Sequence, residues 1–209
     1  MLKELKAASN SYVKIANYYN ELVEECGYLE FIAINSGIAS KQANSYSFIQ
    51  LSSEIKTMSD NVIKSAQQGR ETAFHSLDRV TEAYGNFIRV MRRYRLFRNS
   101  NKMNSQLEEY TNLIRVEIEN FDIFSLIQDT STLSRALESL VAQVNIGKTI
   151  AIGGKIKAVY IAGNEEKFRI ITETMQESIN GLLTLLDQIS EEFSVIKSLF
   201  DNIEEENIL

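Results

Sequence analysis

The residues with the most reactive side chains in this 209-residue chain are a single cysteine and a single histidine, and neither has the company that chemistry needs. His75 has no second histidine, no cysteine and no suitably spaced carboxylate near it, so metal ligation and imidazole catalysis both lack partners. It reads as a boundary or surface residue. Cys26 follows Glu24 and Glu25, which disfavour a thiolate, and it falls at an apolar helical position where free cysteine acts as core filler. Gly147-Lys148-Thr149 has the ending of a phosphate loop, but Ala142 stands where the earlier glycine belongs and no strand precedes it. Gly153-Gly154 lacks the third glycine of a dinucleotide fingerprint. With no paired carboxylates, nucleophile–base set or metal cluster, the chain reads as a non-enzyme that needs no cofactor.

Charge marks one other candidate. Arg89, Arg92, Arg93, Arg95, Arg98 and Lys102 form a basic cluster interleaved with Tyr94 and Phe97. Cations at a helix C-terminus complement the macrodipole, and the acidic tail Glu204 to Glu206 is placed to neutralise them. The alternative is an anionic partner, meaning lipid headgroups, nucleic acid or an acidic protein. The formal net charge of −6 argues against nucleic acid for the molecule as a whole.

The elements that must carry these residues are helices. The chain holds no proline, and proline's fixed φ and missing N–H are what break helix interiors. Apolar positions recur at steps of three and four along Leu5, Ala8, Tyr12, Ile15, Tyr19, Leu22, Cys26, Leu29 and Ala33. A second seam runs from Phe48 through Leu51, Ile55, Met58 and Val62 to Phe97, with Ser65, Gly69, Ala73 and Ser76 leaving room in its middle for a neighbouring backbone. A third starts at Met103, Leu107, Tyr110 and Ile114, becomes irregular over 121–131, and resumes at Leu133, Leu137, Leu140 and Val144. Asp129-Thr130-Ser131-Thr132 reads there as an N-cap cluster, so a kink or short break is expected. The last seam runs from Phe168 and Ile171 to Phe200 and Ile203.

Connections near 36–46, 98–104 and 153–166 then give an all-α, elongated antiparallel four-helix bundle spanning 1–209 as one domain. A local alternative is a β-hairpin over Thr149 to Gly163, where apolar residues alternate around Gly153-Gly154. Met1 to Lys6 carries acid and base with no apolar run behind it, and no stretch approaches the ~18 apolar residues of a membrane span. A cytoplasmic location is expected, which a lone cysteine permits.

Phe31-Ile32-Ala33-Ile34-Asn35-Ser36-Gly37-Ile38-Ala39-Ser40, followed by Phe48-Ile49-Gln50-Leu51-Ser52-Ser53-Glu54-Ile55-Lys56-Thr57-Met58, resembles the hairpin tip of bacterial chemoreceptors, the methyl-accepting chemotaxis proteins. Ile32, Ala33, Ile34, Asn35, Ile38 and Ala39 match the outgoing arm, and Phe48, Leu51, Glu54, Ile55, Lys56 and Met58 the returning arm. The turn between them is shorter than the family's and has lost its glycines, and Ser40-Lys41-Gln42 replaces a small-residue and arginine run. A weaker copy starts at Ile150 and reaches Phe168, which makes the chain an internal pseudo-repeat of 1–98 and 103–209 offset by about 118 residues. The resemblance implies that one polypeptide imitates a receptor dimer. It also implies a protein-binding tip with Ile34, Asn35, Ile38, Phe48, Glu54 and Phe168 at matched positions. The partners it implies are a chemotaxis histidine kinase, its coupling protein or receptors, bound by a monomer or homodimer. The family's paired Glu/Gln methylation motif is missing in its usual form, and Gln67-Gln68-Gly69-Arg70-Glu71-Thr72 is the nearest segment to it. Two other classes compete: a membrane-acting bundle like an α-pore-forming toxin, suggested by the apolar 149–163 segment and the basic end, and a purely structural coiled coil.

Overall fold

The computed structural model describes residues 1–98, 123–161 and 163–208 together with Asn112 and Val116. Four helices hold nearly all of these residues: α1 (Leu2–Gln42), α2 (Tyr46–Arg98), α3 (Ile123–Ala158) and α4 (Glu165–Ile208). The seams explain their packing. Each of the nine α1 seam residues is buried, and α4 buries every seam residue except the half-buried Ile171. On α2 the seam shifts by one at its middle: Ala66 is buried and Ser65 is half-exposed, which puts a methyl in the core and leaves the hydroxyl near water.

The helices form a square in which α1 packs on α2 and α4, and α3 packs on α2 and α4. α1 and α3 are therefore diagonal, and their outer faces point in opposite directions. With alternating chain direction this is the antiparallel four-helix bundle the seams require. At ~1.5 Å per residue the 53 residues of α2 span about 80 Å.

Three local expectations change. Helix α1 continues to Gln42 and α3 to Ala158, so the connections at this end shrink to residues 43–45 and 159–164. Thr149 to Ala158 is helical rather than a hairpin strand, since the helical seam through Val144, Ala151 and Ala158 continues there and buries all three. Asp129 to Thr132 lies inside α3 and caps nothing. Thr130, Ser131 and Thr132 turn their hydroxyls back to the carbonyls of Leu126, Ile127 and Gln128, and the Asp129 carboxylate takes the Arg79 guanidinium at 2.9 Å. The expected 98–104 connection, apart from Arg98 at the end of α2, and the seam from Met103 to Ile114 lie outside the described residues.

A hydrogen bond crosses the square. Tyr12 Oη lies 2.8 Å from Thr130 Oγ1, and because the threonine proton goes to Leu126 O, Tyr12 is the donor. These two residues are 118 positions apart. The burial register repeats at that spacing: the buried residues of α3, from Leu126 to Ala158, each lie 118 positions after a buried residue of α1. The buried residues of α4 from Phe168 to Phe200 each lie 120 positions after a buried residue of α2, the spacing of Phe48 and Phe168. The two extra positions fall in the second turn.

Candidate protein-binding tip

Both hairpin turns sit at one end of the bundle. In the first, Asn44 adopts a left-handed φ of 52° and Ser45 N–H closes onto Ser40 O at 2.9 Å. Asparagine tolerates that region better than most residues with a Cβ, so the turn needs no glycine. In the second, Gly163 takes φ 78° and donates its N–H to Glu165 Oε1 at 3.1 Å. Phe168 N–H bonds Asn164 O at 3.1 Å, which starts α4.

Phe48 and Phe168 join the two turns. Their ring centroids are 4.4 Å apart at an interplanar angle of 50°, and both rings are fully buried in a small cluster with Ala39 and Ala158. Below them the core is small and polar. Ser40 Oγ donates to Ser36 O at 2.6 Å, and Ser52 Oγ lies 2.8 Å from Ser36 Oγ and 2.7 Å from Phe48 O. Side chains this small let α1 and α2 approach closely, and their hydroxyls are satisfied locally.

The matched tip residues thus divide by burial. Phe48 and Phe168 are enclosed, so they hold the two turns together and present nothing to a partner. Ile34 and Ile38 are about half exposed, and Asn35 beside them is also exposed. Glu54 is exposed on α2, where it accepts Gln50 Nε2 at 2.8 Å. It also lines a groove of about 490 Å³ between α2 and α3, with Met58 on one wall and Gln143, Ile146 and Ile150 on the other. Gln143 Oε1 is buried without a hydrogen-bond partner. Lys56 holds Glu30 across the α1–α2 hairpin.

The other rim of the tip carries residues of the apolar 149–163 segment that are absent from the matched tip set. Ile152, Ile156, Val159 and Tyr160 are exposed on α3 and the second turn, Tyr160 at 83%. Arg169 pairs with Glu166 and Glu173, and Lys155 reaches Glu173 at 3.2 Å. Glu173 is held below the usual carboxylate range by Lys155 and then by Arg169, and Glu166 by Arg169. Apolar exposure at these positions has no signature in the sequence, because Ile152 and Ile156 sit in a run where alternate residues are also apolar.

The basic cluster lies far from the tip. Arg89 is 41 residues along α2 from Phe48, about 60 Å at ~1.5 Å per residue. Arg89, Arg92, Arg93 and Arg95 are exposed, and Arg89 bonds Asn86. The side chains of Tyr94, Phe97, Arg98 and Glu204 to Glu206, and the whole of Lys102, lie outside the described residues.

His75 is exposed on α2, and the described residues contain no group of three or more His, Cys, Asp and Glu side chains that would hold a metal. Cys26 is fully buried, and burial, aided by the nearby Glu25 carboxylate, pushes its thiol up to about 12. A native-state titration with a thiol-reactive disulfide at pH 8 is therefore expected to leave Cys26 unmodified for as long as the fold stays closed, with full reaction in denaturant. Immediate reaction of the folded chain would contradict its placement in the core. No helix among the described residues is long and apolar enough to cross a membrane. Comparison of the chain with protein-family models, curated proteins and solved structures finds no match.

Proposed function

We propose that this chain is a non-enzymatic signal-transduction or scaffold protein, similar to a chemoreceptor signalling hairpin repeated in tandem, that works in the cytoplasm through protein–protein contact at the end where its two turns meet. The observation that carries this reading is the joining of both turns by Phe48 and Phe168, which makes one composite tip from two hairpins. The repeat of the burial register at 118 and 120 positions supports it, since a tandem copy of one hairpin places equivalent residues at equivalent heights. The exposed Ile34, Asn35 and Ile38 supply contact groups on a rigid helical support.

The test is capture of a purified chemotaxis histidine kinase, coupling protein or receptor cytoplasmic fragment by the immobilised chain. Binding is expected, and replacing Ile34 and Ile38 with serine is expected to weaken it at least roughly tenfold while the helix content is unchanged, in line with loss of two partly buried anchors. Absence of capture for all three partner classes overturns the reading.

A further inference from the structure

The outer faces of α1 and α3 carry apolar residues in the same pattern and charges of opposite sign. On α1, Tyr28, Phe31, Ile34 and Ile38 are exposed, between 45% and 60%. On α3, Ile146, Ile152 and Ile156 are exposed, and each lies 118 positions after Tyr28, Ile34 or Ile38, the same spacing that sets the burial register. Large apolar side chains repeated on two opposite outer faces exceed the scattered exposure ordinary for a surface.

The charges differ. Between Lys14 and Lys41, α1 holds Glu21, Glu24, Glu25 and Glu30 and no base. Between Glu138 and Glu165 the chain holds Lys148, Lys155 and Lys157 and no acid. Some of these are already engaged within the bundle: Glu30 by Lys56, Glu25 by Ser178 at 2.6 Å, and Lys155 by Glu173. Glu21 and Glu24 on one face, and Lys148 and Lys157 on the other, are exposed and make no ion pair among the described residues.

We propose that the chain binds further copies of itself side by side, the outer face of α1 on one copy against the outer face of α3 on the next. Glu21 and Glu24 lie at the end of the α1 stripe remote from the tip, and Lys157 lies at the tip end of the α3 stripe. Laying the two helices antiparallel with Ile34 against Ile146 therefore sets Tyr28 against Ile152 and brings Glu24 beside Lys157. Like faces are mismatched: α1 on α1 brings together stretches with acid and no base, and α3 on α3 stretches with base and no acid, which disfavours a closed symmetric dimer. Because the two faces point in opposite directions, each copy keeps one free face of each sign after binding, and association continues into rows. The proposal rests in part on the tip reading, since Ile34 and Ile38 belong to both surfaces.

Sedimentation of the full chain tests it. The average mass is expected to rise with concentration past that of a dimer at about 0.05 M salt, and the dissociation constant to weaken at least roughly tenfold at about 0.5 M salt. The variants Glu21→Lys/Glu24→Lys and Lys148→Glu/Lys157→Glu carry charges of one sign on both faces at the positions not engaged within the bundle, so each alone stays monomeric. Mixed in equal amounts they associate again. All substituted side chains are exposed, and circular dichroism checks the fold. A native chain that is monomeric at about 1 mM, one that stops at a dimer, or charge variants that associate like the native chain would each overturn the proposal. So would a chain that stays monomeric yet sediments with phosphatidylserine vesicles, because the α3 face would then serve a lipid surface. The charge variants are expected to capture a kinase or coupling protein as the native chain does, so failure of self-association and failure of the tip reading give different results.

Discussion

Replacing Phe48 with alanine is expected to cost about 3–5 kcal/mol of stability, the range for deleting a buried aromatic ring. The ring is fully enclosed at the first turn and packs tilted against Phe168 of the second at a centroid distance of 4.4 Å, so its loss removes apolar burial and the aromatic contact together. For a chain of this length that corresponds to a fall in melting temperature of roughly 6–20 °C. The more specific expectation concerns where the damage appears. The cluster holding the two turns together contains few other buried side chains, Ala39 and Ala158 among them, and both are too small to fill the space. Amide exchange in Phe48→Ala is therefore expected to rise in the second turn, around residues 158–168, as well as in the first. The double variant with Phe168→Ala should lose less than the sum of the single variants, because the second deletion removes a ring that has already lost its partner. Unchanged exchange in the second turn, with additive losses, would mean that the turns are independent, and the composite tip would lose its basis.

The second large effect comes from Gly69→Ala. In an open helix interior this change stabilises by about 0.5–1 kcal/mol, and Gly27→Ala is expected to do so because a Cβ there meets nothing within 4 Å. At Gly69 the same Cβ would stand 2.5 Å from Tyr19 Cζ and 2.8 Å from Cε1 and Oη. Tyr19 is fully buried, and a ring with two torsions has nowhere to turn, whereas the group facing Gly147 is the flexible end of Met58. Overpacking of this kind costs about 1–3 kcal/mol or more, so the sign reverses between two glycines on neighbouring helices of one bundle. Chemical denaturation of both variants measures it. Adding Tyr19→Leu to Gly69→Ala should recover more than about 1 kcal/mol relative to additivity, and an additive cycle would show that the contact does not limit packing.

Gly69 also shows how far the residues alone lead. The small middle of the α2 seam signals room for a close neighbour, and its occupant is the Tyr19 ring from α1 where a backbone was expected. Spacing announces a gap but does not name the side chain that fills it. The run Asp129 to Thr132 errs in the other direction. Capping residue types appear in the right order, yet Arg79 supplies a partner for Asp129 from another helix, and the hydroxyls bond back along their own helix. Whether such residues cap or continue a helix depends on tertiary partners that local chemistry does not include.

The division at the tip has the same cause. Ile34, Asn35, Ile38, Phe48, Glu54 and Phe168 are legible as a set, but which of them face water is decided by the packing of two hairpins that are more than a hundred residues apart in the chain. The α3 face was hidden for a further reason: Ile150, Ile152 and Ile156 are the same residue type, and only the helix's rotation in the bundle separates half-buried Ile150 from exposed Ile152 and Ile156.

By itself the sequence determined the helical class, the number of long segments, the seams and the burial of Cys26, because an absence of proline and a period of three and four residues act within single helices. Tertiary structure decided the joining of the turns by Phe48 and Phe168, the diagonal Tyr12–Thr130 hydrogen bond, the collision waiting at Gly69 and the opposite signs of the α1 and α3 outer faces. Each of these depends on the rotation and height of one helix against another. Those two quantities are set by the sum of contacts across the whole core, and no local pattern contains that sum.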